Sequence, residues 1–194
     1  MFLAFEGPIG VGKTTLAEGL SDRLGARYFA DPIEKVSRFL TVASKDALAT
    51  EMEFLFHRLR QLGDMKRALE QSNQLIVADW DLHKIEYFGR ANLNASDFKI
   101  LREFAHLAGA ETPRPDILVI VQSPASTVLE RIKRRGRSYE QEITPHQIDE
   151  MASRFEKIAA SVERESKVRV VRFVNADGIE ASVEKLLSQI KPLL

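Results

Sequence analysis

The chain has 194 residues, with 28 Lys plus Arg against 28 Asp plus Glu and no cysteine. That length predicts one compact domain spanning 1–194, and zero net charge offers no field that would gather phosphate backbones or anionic lipid, so a general nucleic-acid partner is excluded. Disulfides, thiolate zinc sites and a cysteine nucleophile are excluded too. No apolar run exceeds five residues, far short of the roughly 20 that cross a bilayer, which predicts a cytoplasmic protein with no membrane partner.

In chain order, Phe2–Glu6 reads as the first strand. It runs into Gly7-Pro8-Ile9-Gly10-Val11-Gly12-Lys13-Thr14-Thr15, which fits GxxxxGK[ST] between a strand and a helix, the setting a phosphate-binding loop needs. Glycines let backbone N–H groups turn inward around phosphate oxygens, and the helix begun near Lys13 adds its positive end. These nine residues are therefore candidate ATP contacts, with Lys13 reaching the transferring phosphoryl and the Thr14 hydroxyl a ligand for Mg²⁺.

The second strand is expected at Arg27–Ala30, followed by Asp31-Pro32. A long helix should run from about Lys45 to Gln71, because Leu48, Met52, Leu55, Leu59 and Leu62 recur at spacings of four and three. The stripe reads as packing on the sheet, with a subunit interface as the alternative. Further strands are expected at Gln74–Asp79, Asp116–Gln122 and Lys167–Val174. Helices are expected at Leu82–Ala91, Ala95–Leu107 with Asn94 as cap, Ala125–Arg134, His146–Arg164 and Ile179–Ile190. Five strands alternating with helices imply an α/β fold, a parallel sheet covered on both faces.

Asp79 should end the third strand at the sheet's carboxyl edge, where a carboxylate can hold Mg²⁺ beside Thr14. The segment Arg131-Ile-Lys133-Arg134-Arg135-Gly136-Arg137 carries five cations in seven residues; with the phosphate loop present it reads as a mobile cationic lid over about 131–145. The guanine-reading [NT]KxD segment of a GTPase is absent. His57, His83, His106 and His146 have no metal-ligand spacing and read as structural or surface residues. Trp80 suits a packing residue and a base platform equally.

Together these elements resemble the deoxynucleoside kinases, most closely their bacterial deoxyguanosine/deoxyadenosine kinase-like branch. Carrying the resemblance are Glu6 to Thr15, Asp31-Pro32, Val77-Ala-Asp79, Arg131-x3-Arg135-Gly-Arg137-x2-Glu140 and Val174-Asn175-Ala-Asp177, in the family's order over nearly the whole chain. The resemblance implies a P-loop kinase fold and a homodimer. It also implies donor-phosphate contacts from Arg131, Arg135 and Arg137, of which Arg135 is expected to be catalytic, a sugar 3′-hydroxyl contact from Glu140, and an Asn175–Asp177 loop beside the donor adenine. Asp31 stands at the place of the general base, usually Glu-Pro, with Glu34 as substitute and a helix cap as its structural alternative. The family's arginine after the strand-three acid is Trp80 here, and its sugar-binding tyrosine has no counterpart between Phe29 and Glu86.

Glu51 falls where many relatives carry a base-reading glutamine. Arg58 lies seven residues on, on the same helix face. A carboxylate only accepts hydrogen bonds, which matches the adjacent N1–H and N2–H donors of guanine, and an arginine can donate to O6 and N7. The leading expectation is an ATP- and Mg²⁺-dependent deoxynucleoside kinase acting on a purine deoxynucleoside. The alternatives are a nucleoside-monophosphate or other small-metabolite kinase, and a nucleotide-binding regulatory subunit with weak turnover.

Overall fold

The computed structural model describes residues 1–36, 46–72, 74–137, 140–165 and 167–194. Five strands, β1 (Phe2–Glu6), β2 (Arg27–Phe29), β3 (Ile76–Ala78), β4 (Ile117–Gln122) and β5 (Arg169–Val174), form one all-parallel sheet in the order β2-β3-β1-β4-β5. Seven helices flank it: α1 (Lys13–Leu24), α2 (Ala47–Ser72), α3 (Lys84–Asn92), α4 (Ala95–Gly109), α5 (Ala125–Arg135), α6 (Pro145–Glu165) and α7 (Ile179–Ile190). The start expected for α2 at Lys45 lies outside the described residues.

Alternate residues of the central strands feed two cores, the pattern expected of strands covered on both faces. Leu3, Phe5, Val119 and Val121 pack against α1, α5 and α7 through Leu16, Leu20, Val128, Ile132 and Val183. Phe2, Ala4, Leu118 and Ile120 pack on the other face against α2 and α6 through Leu62, Met65, Ala159 and Val162. The α2 stripe closes on the chain itself: Leu55 is buried with Ile85 and Leu101, and Leu48, Met52 and Leu59 pack on that group. Trp80 is fully buried in the second core, which decides its reading in favour of packing.

Helix boundaries follow local chemistry. The Asn94 side chain accepts from the Asp97 backbone N–H and starts α4. Thr144 and Gln147 bond each other's backbone N–H at the start of α6, a capping box with Pro145 at the first helical position. That places its start one residue before His146. Gly136 closes α5 in the left-handed region. Strand β2 stops before Ala30 and β3 before Asp79, both of which line the pocket, and β3 begins only at Ile76, two residues after the expected Gln74.

Candidate active site

Every strand delivers a chemical group at its carboxyl end. Glu6 ends β1 and Gly7 follows it, Asp31 follows β2, Asp79 follows β3, Ser123 follows β4 and Asn175 follows β5. The strand order reverses about β1, so the crevice there is the place where ligands of such sheets collect. It holds a cavity of about 760 Å³. Of the residues assigned from sequence to the catalytic, donor, acceptor and metal positions, all line it except Pro8 and Val11, whose carbonyls brace it from behind.

The phosphate loop is shaped by backbone that only glycine accepts. Gly7 has φ +144°, and a Cβ there would lie 2.3 Å from the Val121 carbonyl oxygen. Within the loop, Lys13 Nζ donates to the Gly7 and Pro8 carbonyls, at 2.8 Å each. Burial, then the nearby Lys84, lowers its pKa to about 8 against the pull of Glu6, Asp79 and Asp31. The Thr14 hydroxyl donates to Asp79 Oδ2 at 2.5 Å, which puts two hard oxygen ligands side by side at the loop's helix.

Asn175 and Arg131 act here on the loop itself. Asn175 Nδ2 donates to the Val11 carbonyl at 2.7 Å, and Arg131 donates to Val11 O, Ser123 Oγ and Asn175 O at 3.0, 3.4 and 3.3 Å. Asp177 is exposed and pairs with Lys185 at 3.7 Å. On the 131–145 segment, Arg135 holds buried Glu140 Oε2 through Nε at 3.0 Å and through Nη2, while Arg137 approaches Oε1 at 3.5 Å. Residues 138–139 of that segment lie outside the described residues.

On the acceptor side, Asp31 caps no helix. Its backbone N–H donates to Asp79 Oδ1 at 2.6 Å, and its side chain is buried between two cations. Arg58 donates to Oδ1 from Nε and Nη2 at 3.2 and 2.9 Å, and Lys84 Nζ donates to Oδ2 at 2.6 Å. Burial alone would raise the Asp31 carboxyl, but Arg58 and then Lys84 outweigh it and hold the group well below the usual carboxylate range. Arg58 is thus directed at Asp31, with its guanidinium 5.0 Å from the Phe54 ring centroid, and not at a base edge. Glu34 is exposed at the rim, in a short 3-10 turn.

Glu51 does face the cavity, is 5% exposed, and takes a 2.7 Å bond from Asn92 Nδ2. Burial raises its pKa, partly offset by Asn92 and Arg58. Under the site, Glu6 is fully buried: Oε1 accepts the Asp81 N–H at 2.8 Å, and Oε2 has no partner among the described residues. Burial raises its pKa to about 7 despite Lys84 and Lys13. Asp81 in turn pairs with His83. The other histidines lie apart, and no group of three metal-ligating side chains occurs among the described residues. Sequence reasoning missed Lys84 and Asn92. The first carried a signal, a lysine in a helix's first turn where cations are disfavoured; the second carried none.

The deoxynucleoside kinase family model matches residues 3–194. The deoxyguanosine kinase of Bacillus subtilis (strain 168) is 27% identical over 201 residues, covering 100% of this chain and 97% of that one. A deoxyadenosine kinase of Lactobacillus acidophilus is 29% identical, covering 72% of this chain and 68% of that one. The structure of deoxyadenosine kinase from M. mycoides with products dCMP and a flexible dCDP bound superposes with a TM-score of 0.74 at 21% identity, over 99% of this chain and 100% of that one. The match takes in the phosphate loop, Asp31 and the other residues of the cavity, and the chain belongs to the deoxynucleoside kinase family.

Proposed function

We propose that the protein transfers the γ-phosphoryl of ATP to the 5′-hydroxyl of a purine deoxynucleoside, deoxyguanosine foremost. The observation that carries this reading is the opening of Lys13 and Asp31 onto the same cavity, a donor-phosphate cation facing an ionised carboxylate. The loop N–H groups and Lys13 hold the donor phosphates, and Asp31 accepts the proton of the attacking hydroxyl. Within a lid over about 131–145, Arg135 and Arg137 contact the donor phosphates and Glu140 holds the sugar 3′-hydroxyl. Arg131 and Asn175 support the donor site by bracing Val11, and Asp177 borders the adenine.

The residues suit Mg²⁺, which takes one or two protein oxygens and leaves its other positions to phosphate and water. Thr14 and Asp79 supply such a pair. The ion when bound neutralises charge on the phosphate oxygens.

The base preference is supported by Glu51, an acceptor-only group in the cavity, and by relatives named deoxyguanosine kinase. The chain works as one domain and as a homodimer, the latter supported by an exposed apolar strip: Ile100, Phe104 and Leu107 on α4, with Phe56 on α2, are each at least half exposed. Cytoplasm, where ATP is abundant, is its place; no helix among the described residues is long and apolar enough to cross a membrane.

A monophosphate acceptor is the second reading, favoured by the two cations beside Asp31. Both are committed to that carboxylate, which ranks it below. ADP release measured with ATP and each of four deoxynucleosides, dGMP, or no acceptor separates these readings. Turnover with dGMP alone would replace the first by the second, and ADP release independent of acceptor would leave a nucleotide-binding subunit.

A further inference from the structure

Lys84 stands where helix electrostatics disfavour it. It is the first residue of α3, at the end where aligned peptide dipoles and free N–H groups already present positive charge. It is also only 6% exposed, and a buried ammonium is costly unless paired. What holds it there is Asp31 Oδ2 at 2.6 Å, with the field of buried Glu6 behind it. A placement that contradicts local preference twice, inside the reaction cavity, points to a role in the site.

The two oxygens of Asp31 are not equivalent. Among the described residues, Oδ1 receives both Arg58 donors, while Oδ2 receives Lys84 alone. Each carboxylate oxygen offers about two lone-pair directions, so Oδ1 is filled and Oδ2 keeps one.

We propose that Lys84 is a positioning residue that fixes the Asp31 carboxylate so that Oδ2 meets the acceptor hydroxyl. The proposal rests on the reading of Asp31 as the base. In the step it supports, the 5′-oxygen forms its bond to the γ-phosphorus, the bond from that phosphorus to the bridging oxygen breaks, and ADP leaves with the electron pair. The hydroxyl proton passes to Oδ2 and then to solvent. Arg58 holds the carboxylate from one side only; without Lys84 the group can turn about its Cβ–Cγ bond, and misplacement of a reacting group by about 1 Å costs on the order of 10²-fold.

The test is steady-state kinetics with radiolabelled ATP and deoxyguanosine on the full chain carrying Lys84→Met, Lys84→Arg, Lys84→Gln, Asp31→Asn, or Lys84→Met with Asp31→Asn, each with its melting curve. Lys84→Met is expected to lower kcat by about 10²-fold with KM for ATP unchanged. Lys84→Arg should recover most of it, and the double variant should be no slower than Asp31→Asn alone. Wild-type kcat in Lys84→Met would overturn the proposal, as would an equal further loss in the Asp31→Asn background. If Lys84→Met does not fold, Lys84→Gln against Lys84→Arg decides, equal kcat in the two overturning it. Wild-type turnover in Asp31→Asn is a separate result, which removes the base assignment and the proposal together.

Discussion

Asn92 Nδ2 donates to Glu51 Oε1 at 2.7 Å, so one lone pair of the carboxylate is already taken before a base enters the cavity. The remaining lone pairs accept only, which suits guanine N1–H and N2–H and opposes the acceptor edge of cytosine. A site built for one pattern of donors discriminates strongly against a base that leaves it unmatched. Glu51→Gln is therefore expected to change the ranking of kcat/KM among deoxyguanosine, deoxyadenosine and deoxycytidine, in favour of the last two. An unchanged ranking would take Glu51 out of base selection.

Lys13→Ala should lower kcat by about 10³-fold, the scale of losing one preorganised charge contact to the transition state. Because Lys13 also ties Gly7 and Pro8, ATP affinity is expected to fall as well. A variant with more than about a tenth of wild-type turnover contradicts the donor-site assignment.

The two lid arginines should behave differently. Glu140 is buried and held chiefly by Arg135, so Arg135→Gln leaves a buried carboxylate short of its main partner and should lower both turnover and melting temperature. Arg137, at 3.5 Å, holds it weakly. Arg137→Gln should lower turnover and leave the melting temperature near that of wild type, as calorimetry beside initial rates would show.

Glu6 ties stability to pH. Its carboxyl is raised from the ordinary value of 4.5 to about 7 by burial, so the folded state favours the protonated form. That stability is fully present below pH 4.5 and is lost as pH rises through about 7. Glu6→Gln, which keeps the shape without the charge, should flatten this decline, so that the melting-temperature gap between variant and wild type grows from pH 5 to pH 8. A constant gap would mean that Glu6 is ionised throughout.

The donor half of the site was legible because it is local. Gly7 to Thr15 dictate their own backbone, and Asp79 follows from the end of an apolar run. The acceptor half is made by contacts across long sequence distances, and types alone do not reveal them. Arg58 lies 27 positions from Asp31 and Lys84 lies 53, so the sequence showed an aspartate one methylene short and a missing arginine, where the fold shows two other cations holding that aspartate. Arg131 and Asn175 both line the cavity, but their bonds to the Val11 carbonyl depend on how β4 and β5 end beside the loop, which residue types do not show. The five strands and seven helices followed from periodicity and caps; the order of the strands did not.

The most direct measurement is the identity of the labelled product. With γ-labelled ATP and deoxyguanosine, the expected result is label in deoxyguanosine 5′-monophosphate, dependent on Mg²⁺ and lost in Asp31→Asn. Label recovered only as inorganic phosphate, or only in a diphosphate when dGMP is supplied, would contradict a deoxynucleoside 5′-kinase.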